Sequence, residues 1–130
     1  MPMEQDELCE QLSTIDQSLR FLVLIIAGVL LSFKATGVQR DALCAELCGE
    51  EPDTSAVYPL RHTANSLIVG ALGFFLCLAI KTWRERDTSD CVASRSAHSN
   101  LWAALLVFAA AVIRFDDLEF TRQATAASAE

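Results

Sequence analysis

The sequence predicts an all-α fold: a three-span transmembrane helical bundle with short amphipathic helical extensions. Three observations carry that expectation. The chain has 130 residues, 52% of them hydrophobic and 21% charged, with a mean hydropathy of +0.32, which is more apolar than an ordinary soluble domain. The apolar residues are gathered into three uncharged blocks, Phe21 to Phe33, Thr63 to Ile80 and Ser96 to Ile113. Each block is bracketed by cations, Arg20 and Lys34, Arg61 and Lys81, Arg95 and Arg114. The blocks also lack a polar face. In Thr63 to Ile80 the polar side chains, apart from the Cys77 thiol, are Thr63, Asn65 and Ser66, all in the first turn. Helices of a soluble three-helix bundle need such a face, because three helices cannot bury one another all round.

Residues 1–18 form an amphipathic lead-in. Leu8, Leu12, Ile15, Leu19 and Leu22 recur at intervals of 4, 3, 4 and 3 and make one helical stripe, with Glu7, Glu10, Asp16 and Gln17 elsewhere around it. The expected place for this helix is along the membrane surface or against the bundle. Its acidic face, repelled by anionic lipid, also favours contact with a protein partner.

Span 1 is assigned to residues 19–38. The uncharged block is short for a bilayer, about 20 Å of helix, but Arg20 and Lys34 extend it by snorkelling. Its ten Leu, Ile, Val and Phe side chains favour insertion by about 3–6 kcal/mol. The alternative of a cleaved signal peptide fails on the acidic flank (Glu4, Asp6, Glu7, Glu10, Asp16) and on the lack of a clean small-x-small cleavage site. A retained first span, acting as the anchor for the later ones, is therefore expected.

Residues 39–58 are read as a loop with a short helix, Gln39 to Cys48, stopped by Gly49 and the following Glu50, Glu51, Pro52 and Asp53. Span 2 covers 60–80, a polar loop 81–95 and span 3 96–115. The tail, 116–130, is acidic; its helix is expected to run on past Phe115 and Leu118 and to fray from Ala124. Lys and Arg are tied at five on each side of the membrane, and the cluster of Lys81, Arg84 and Arg86 favours a cytoplasmic N-terminus in the cell membrane.

Charge and composition exclude several functions. A net charge of −7 disfavours nucleic acid, and the size excludes a multidomain enzyme. With 5 Gly and 3 Pro the chain is neither collagen-like nor of low complexity. No nucleophile and base pair, phosphate loop or paired-carboxylate site is present, so neither an enzyme nor a cofactor is expected. The spans hold no ionisable group at their centres, which disfavours a pump or coupled transporter.

Five cysteines carry the most suggestive chemistry. Cys44 and Cys48, at i and i+4, are a candidate disulfide if the loop is outside the cell, although a regular helix aims such sulfurs poorly. As a metal site the pair lacks a second pair, and as a redox site it has the wrong spacing in an acidic field. Packing is the remaining reading for these cysteines, with lipidation also open for Cys9 and Cys91 near one interface.

Association is what remains. Ser66, Gly70 and Gly73 on span 2 and Ala103 and Ala110 on span 3 form a candidate helix-packing face of small residues, serving either the three spans or another subunit. The expected function is thus a small non-catalytic membrane subunit, accessory to or assembling a membrane complex, whose partners are lipid and either a membrane protein or itself. A homo-oligomeric pore is the alternative; the chain resembles small phage holins in size and span number, while its acidic tail departs from their basic C-terminus. A membrane thiol oxidoreductase using Cys44 and Cys48 is the third.

Overall fold

The computed structural model describes residues 2–128. They form three helices, α1 (Pro2–Leu47), α2 (Val57–Arg84) and α3 (Cys91–Ser128), and the chain is 88% helical with no strand among the described residues. At 1.5 Å per residue they measure about 69, 42 and 57 Å. Two of them, α1 and α2, are long and apolar enough to cross a membrane, with windows of mean hydropathy 2.2 and 2.0.

The boundaries differ from the expected ones at each connection. Lead-in, first span and loop helix are one continuous α1, since nothing from Lys34 to Asp41 breaks it: Gly37 only weakens a helix, and no proline is present. The lead-in therefore prolongs the axis of α1. The helix stops where expected. Gly49 takes φ +79°, Gly49 N donates to Glu46 O (3.1 Å) and Glu50 N to Ala45 O (2.9 Å), which is the Schellman arrangement.

Helix α2 starts three residues early, with Pro59 inside its first turn, where the missing N–H has no helical acceptor anyway. Helix α3 starts at Cys91 because Asp90 caps it, accepting from Val92 N (3.0 Å) and Ala93 N (3.2 Å). The polar loop thus shrinks to residues 85–90, braced by Arg86, which donates to Trp83 O (2.7 Å) and Ser94 Oγ (3.2 Å). The tail stays helical through Ser128 rather than fraying at Ala124. Expectations for Met1, Ala129 and Glu130 lie outside the described residues.

The three helices run antiparallel in a row. Helix α2 packs on both neighbours, and among the described residues α1 and α3 do not meet, so the helices form an open layer. Each seam follows a heptad spacing. On α1 the covered positions are Thr14, Ser18, Phe21, Ile25, Gly28, Ser32 and Ala35, alternating by 4 and 3, with Ala42 seven further on. On α3 they are Ser94, Ala97, Leu101, Ala104, Phe108, Ala111, Phe115 and Leu118. That periodicity belongs to helices crossing at a shallow angle.

The interior is made of small residues. Ala35, Ala64 and Ala71 are 0% exposed, and Ala42, Ala79, Ala97 and Ala111 are also buried. Gly28 is buried against α2, where an added Cβ would stand 2.7 Å from Ile68 Cγ1. No large side chain is fully buried among the described residues: Phe21, Ile25, Leu101, Phe108, Phe115 and Leu118 are half-covered at the seams, and many other Leu, Ile, Val and Phe side chains face outward, unlike a water-soluble core.

Candidate functional site

Polar side chains gather at the two ends of the layer. At the end holding the α2 start, Tyr58 OH donates to Glu119 Oε1 at 2.5 Å. The same oxygen is 3.5 Å from His62 Nε2, and Glu119 Oε2 is 3.9 Å from Arg122 Nε. The Arg122 guanidinium stands over the Tyr58 ring at 5.0 Å, and the His62 ring lies against Phe115. The hydrogen bond to Glu119 holds the Tyr58 phenol above its ordinary value, because ionisation would set two anions side by side. On the α1 side, Arg61 Nη2 donates to Gln39 Oε1 at 2.6 Å. A cleft of about 610 Å³, bordered by Gln39, Tyr58, Arg61, Leu118 and Arg122, opens between α1 and α3 here.

At the opposite end Lys81 Nζ donates to Glu10 Oε1 at 3.0 Å. This carboxylate raises the Lys81 ammonium above its ordinary value. Glu7, Glu10, Thr14, Lys81 and Glu85 border a cleft of about 370 Å³. Between the two ends the seams are apolar, with Phe21 stacked on Phe74 at 4.1 Å.

The residues singled out in the sequence are dispersed. Cys44, on the last turns of α1, and Cys48, just beyond it, are exposed free thiols, as are Cys9, Cys77 and Cys91. Of the small-residue face, only Gly73 sits at a seam, 3.4 Å (as an added Cβ) from Phe108 Cε2. Ser66, Gly70, Ala103 and Ala110 are exposed. Gly70 has no atom within 4 Å of an added Cβ. Of the residues that close the seams, Ala64, Ala71 and Ala111 belong to the small-residue surfaces the sequence offers on spans 2 and 3, whereas Gly28 and Ala35 on α1 are additional, and their seven-residue spacing is the signal for them. His98 accepts from Trp102 Nε1 at 3.1 Å on the surface of α3. No group of three or more His, Cys, Asp or Glu suited to a metal occurs among the described residues.

One apolar surface stands out. Leu8, Leu12, Ile15, Leu19, Leu22, Ile26, Val29 and Phe33 alternate by 4 and 3 along α1 and are 45% to 78% exposed. The stripe predicted on the lead-in therefore continues through the first span, beside the seam to α2 rather than in it. The chain matches no protein-family model, and no curated protein or solved structure is significantly similar to it.

Proposed function

We propose that this chain is a three-span integral protein of the cell membrane, without catalytic chemistry, that serves as an accessory or assembly subunit through its helix surfaces. The observation that carries the reading is the inverted packing. Alanine and glycine make the fully buried contacts of the seams, while many Leu, Ile, Val and Phe side chains are exposed on the outer faces. In water each outward side chain would forfeit about 1.5–3 kcal/mol of burial, whereas lipid tails solvate it and leave close backbone approach as the packing force.

The third span is read from the uncharged block Ser96 to Ile113 and from the contact of α3 along α2. Its exposed Leu105, Leu106 and Ile113 fit the same solvent. The tyrosine, histidine and ion-pair clusters then fall at the two membrane surfaces, where ionised groups keep their water. A cytoplasmic N-terminus follows the Lys81, Arg84 and Arg86 cluster.

Two measurements test this. After detergent-free lysis the chain is expected in the membrane pellet and to stay there through an alkaline carbonate wash; recovery in the supernatant as a monomer overturns the membrane reading. Induced expression is expected to leave cells sealed to a small dye, and prompt leakage would instead establish the pore.

A further inference from the structure

We infer that the outward stripe of α1, from Leu8 to Phe33, is a self-association surface that pairs in parallel with the same stripe of a second copy. The inference deepens the membrane reading, on which its lipid-embedded half rests. Its starting point is the half that lipid does not reach. Leu8, Leu12 and Ile15 lie on the stretch that carries Asp6, Glu7, Glu10 and Asp16, and so many ionised carboxylates keep that stretch out of hydrocarbon. Continuity of α1 makes this stretch extend the span rather than turn onto the membrane surface. Three large side chains, 63%, 60% and 56% exposed, therefore face water unless protein covers them.

The spacing says what kind of protein. From Leu8 to Leu19, where the intervening residues are polar apart from Cys9, the apolar positions keep intervals of 4, 3 and 4, the pattern of a helix meeting another helix at a shallow angle; contact with lipid alone imposes no such period. With Leu12 and Leu19 at a positions and Leu8 and Ile15 at d positions, Asp6, Glu7 and Glu10 fall at b, c and f, away from the seam. Gln11 at g stands opposite Asp16 at e of the next heptad on the other chain, so each amide meets a carboxylate twice by symmetry. A strongly acidic segment is thereby able to lie beside its own copy. Two copies inserted by one route share one orientation in the membrane, which makes the pair parallel and in register. The seam to α2 uses other positions of α1 and is left intact.

Cross-linking of the full chain, with its five cysteines changed to serine, tests the register. Single variants Leu12→Cys, Ile15→Cys and Leu19→Cys are oxidised with copper phenanthroline in carbonate-washed membranes, beside Ser13→Cys and Gln17→Cys on the other faces. The stripe variants are expected to give a band at about twice the 14.2 kDa of the chain, and the control positions none, since only facing a or d positions bring two sulfurs within bonding reach. Equal yields at all five positions, or none at any, overturn the proposal. So does protection of the stripe thiols from maleimide without self-linking, which would assign the stripe to a different protein. The Leu12→Gln, Ile15→Gln pair, at sites exposed in the single chain, is expected to abolish the dimer while leaving helix content unchanged; a surviving dimer overturns the inference. Cross-linking is read in whichever fraction holds the chain, so a failed carbonate wash and a failed dimer remain separate results.

Discussion

Replacing Gly28 by alanine adds one methyl group at the tightest point of the α1 and α2 seam. The new Cβ would stand 2.7 Å from Ile68 Cγ1, 3.0 Å from Ala64 O and 3.2 Å from Ile68 Cδ1. Neither Cγ1, fixed one bond from the β-branch, nor a backbone oxygen moves cheaply, so the helices separate by about 1 Å, enough to forfeit a quarter to a half of the dispersion there. Overpacking of this kind costs about 1–3 kcal/mol, and the better helix propensity of alanine returns at most about 1. With that full return the expected net loss is about 0–2 kcal/mol. Gly37 is the control, for it lies in the same helix with no atom within 4 Å of an added Cβ; Gly37→Ala is expected to gain about 0.5–1 kcal/mol. Denaturation by SDS in mixed micelles, followed by tryptophan emission, gives both values on one scale. Equal stability changes of the two variants in the same direction would refute the assigned seam.

Three further outcomes follow from the ends of the layer. Tyr58 is the single tyrosine, so its ionisation can be read directly at 295 nm; the midpoint is expected above 10.0 and to fall back in Glu119→Gln. Because the folded phenol holds its proton more tightly, its contribution to stability is whole below the ordinary value and is lost as pH rises through the raised one. Lys81 follows the same sign through Glu10, and Glu10→Gln is expected to lower the ammonium value in a proton NMR titration. In sealed cells an impermeant maleimide is expected to label Cys44 and Cys48 and spare Cys9 and Cys91; the opposite pattern reverses the proposed orientation.

Helicity and the stop at Gly49 were legible because each depends on local signals: uncharged blocks and a left-handed residue after a helix. The seams were not. Alanine is both the best helix former and the residue that permits close approach, so a residue such as Ala35 does not by itself announce a seam. The Ser66 and Gly70 pair drew attention yet lies on the open face of α2. The continuity of α1 was hidden because its polarity changes at Lys34 while its backbone preference does not. The cap at Asp90 was a readable signal, overlooked within a run of mixed charge. The link of Tyr58 to Glu119 spans 61 positions, and nothing local to either residue announces it.

The polar ends do what the small-residue seams cannot. On α1, Gly28, Ala35 and Ala42 are seven apart, as are Ala64 and Ala71 on α2. A slide of one heptad, about 10 Å, would set small residue against small residue again and change the close packing little. Such a seam binds but does not specify its register. The asymmetric contacts do: the slide would part Phe21 from Phe74, Lys81 from Glu10 and Arg61 from Gln39. On the other seam Tyr58 with Glu119 and Arg86 with Ser94 act alike, one at each end. Charged and hydrogen-bonding partners at the two ends of the layer thus select one alignment among several that the apolar middle permits, in the way that a single polar position fixes register in a coiled coil. Removing both Glu10 and Gln39 is accordingly expected to loosen alignment more than affinity, seen as broadened distances between spin labels on α1 and α2 while the helices stay associated; unchanged distance distributions would show that Phe21 and Phe74 hold the register alone.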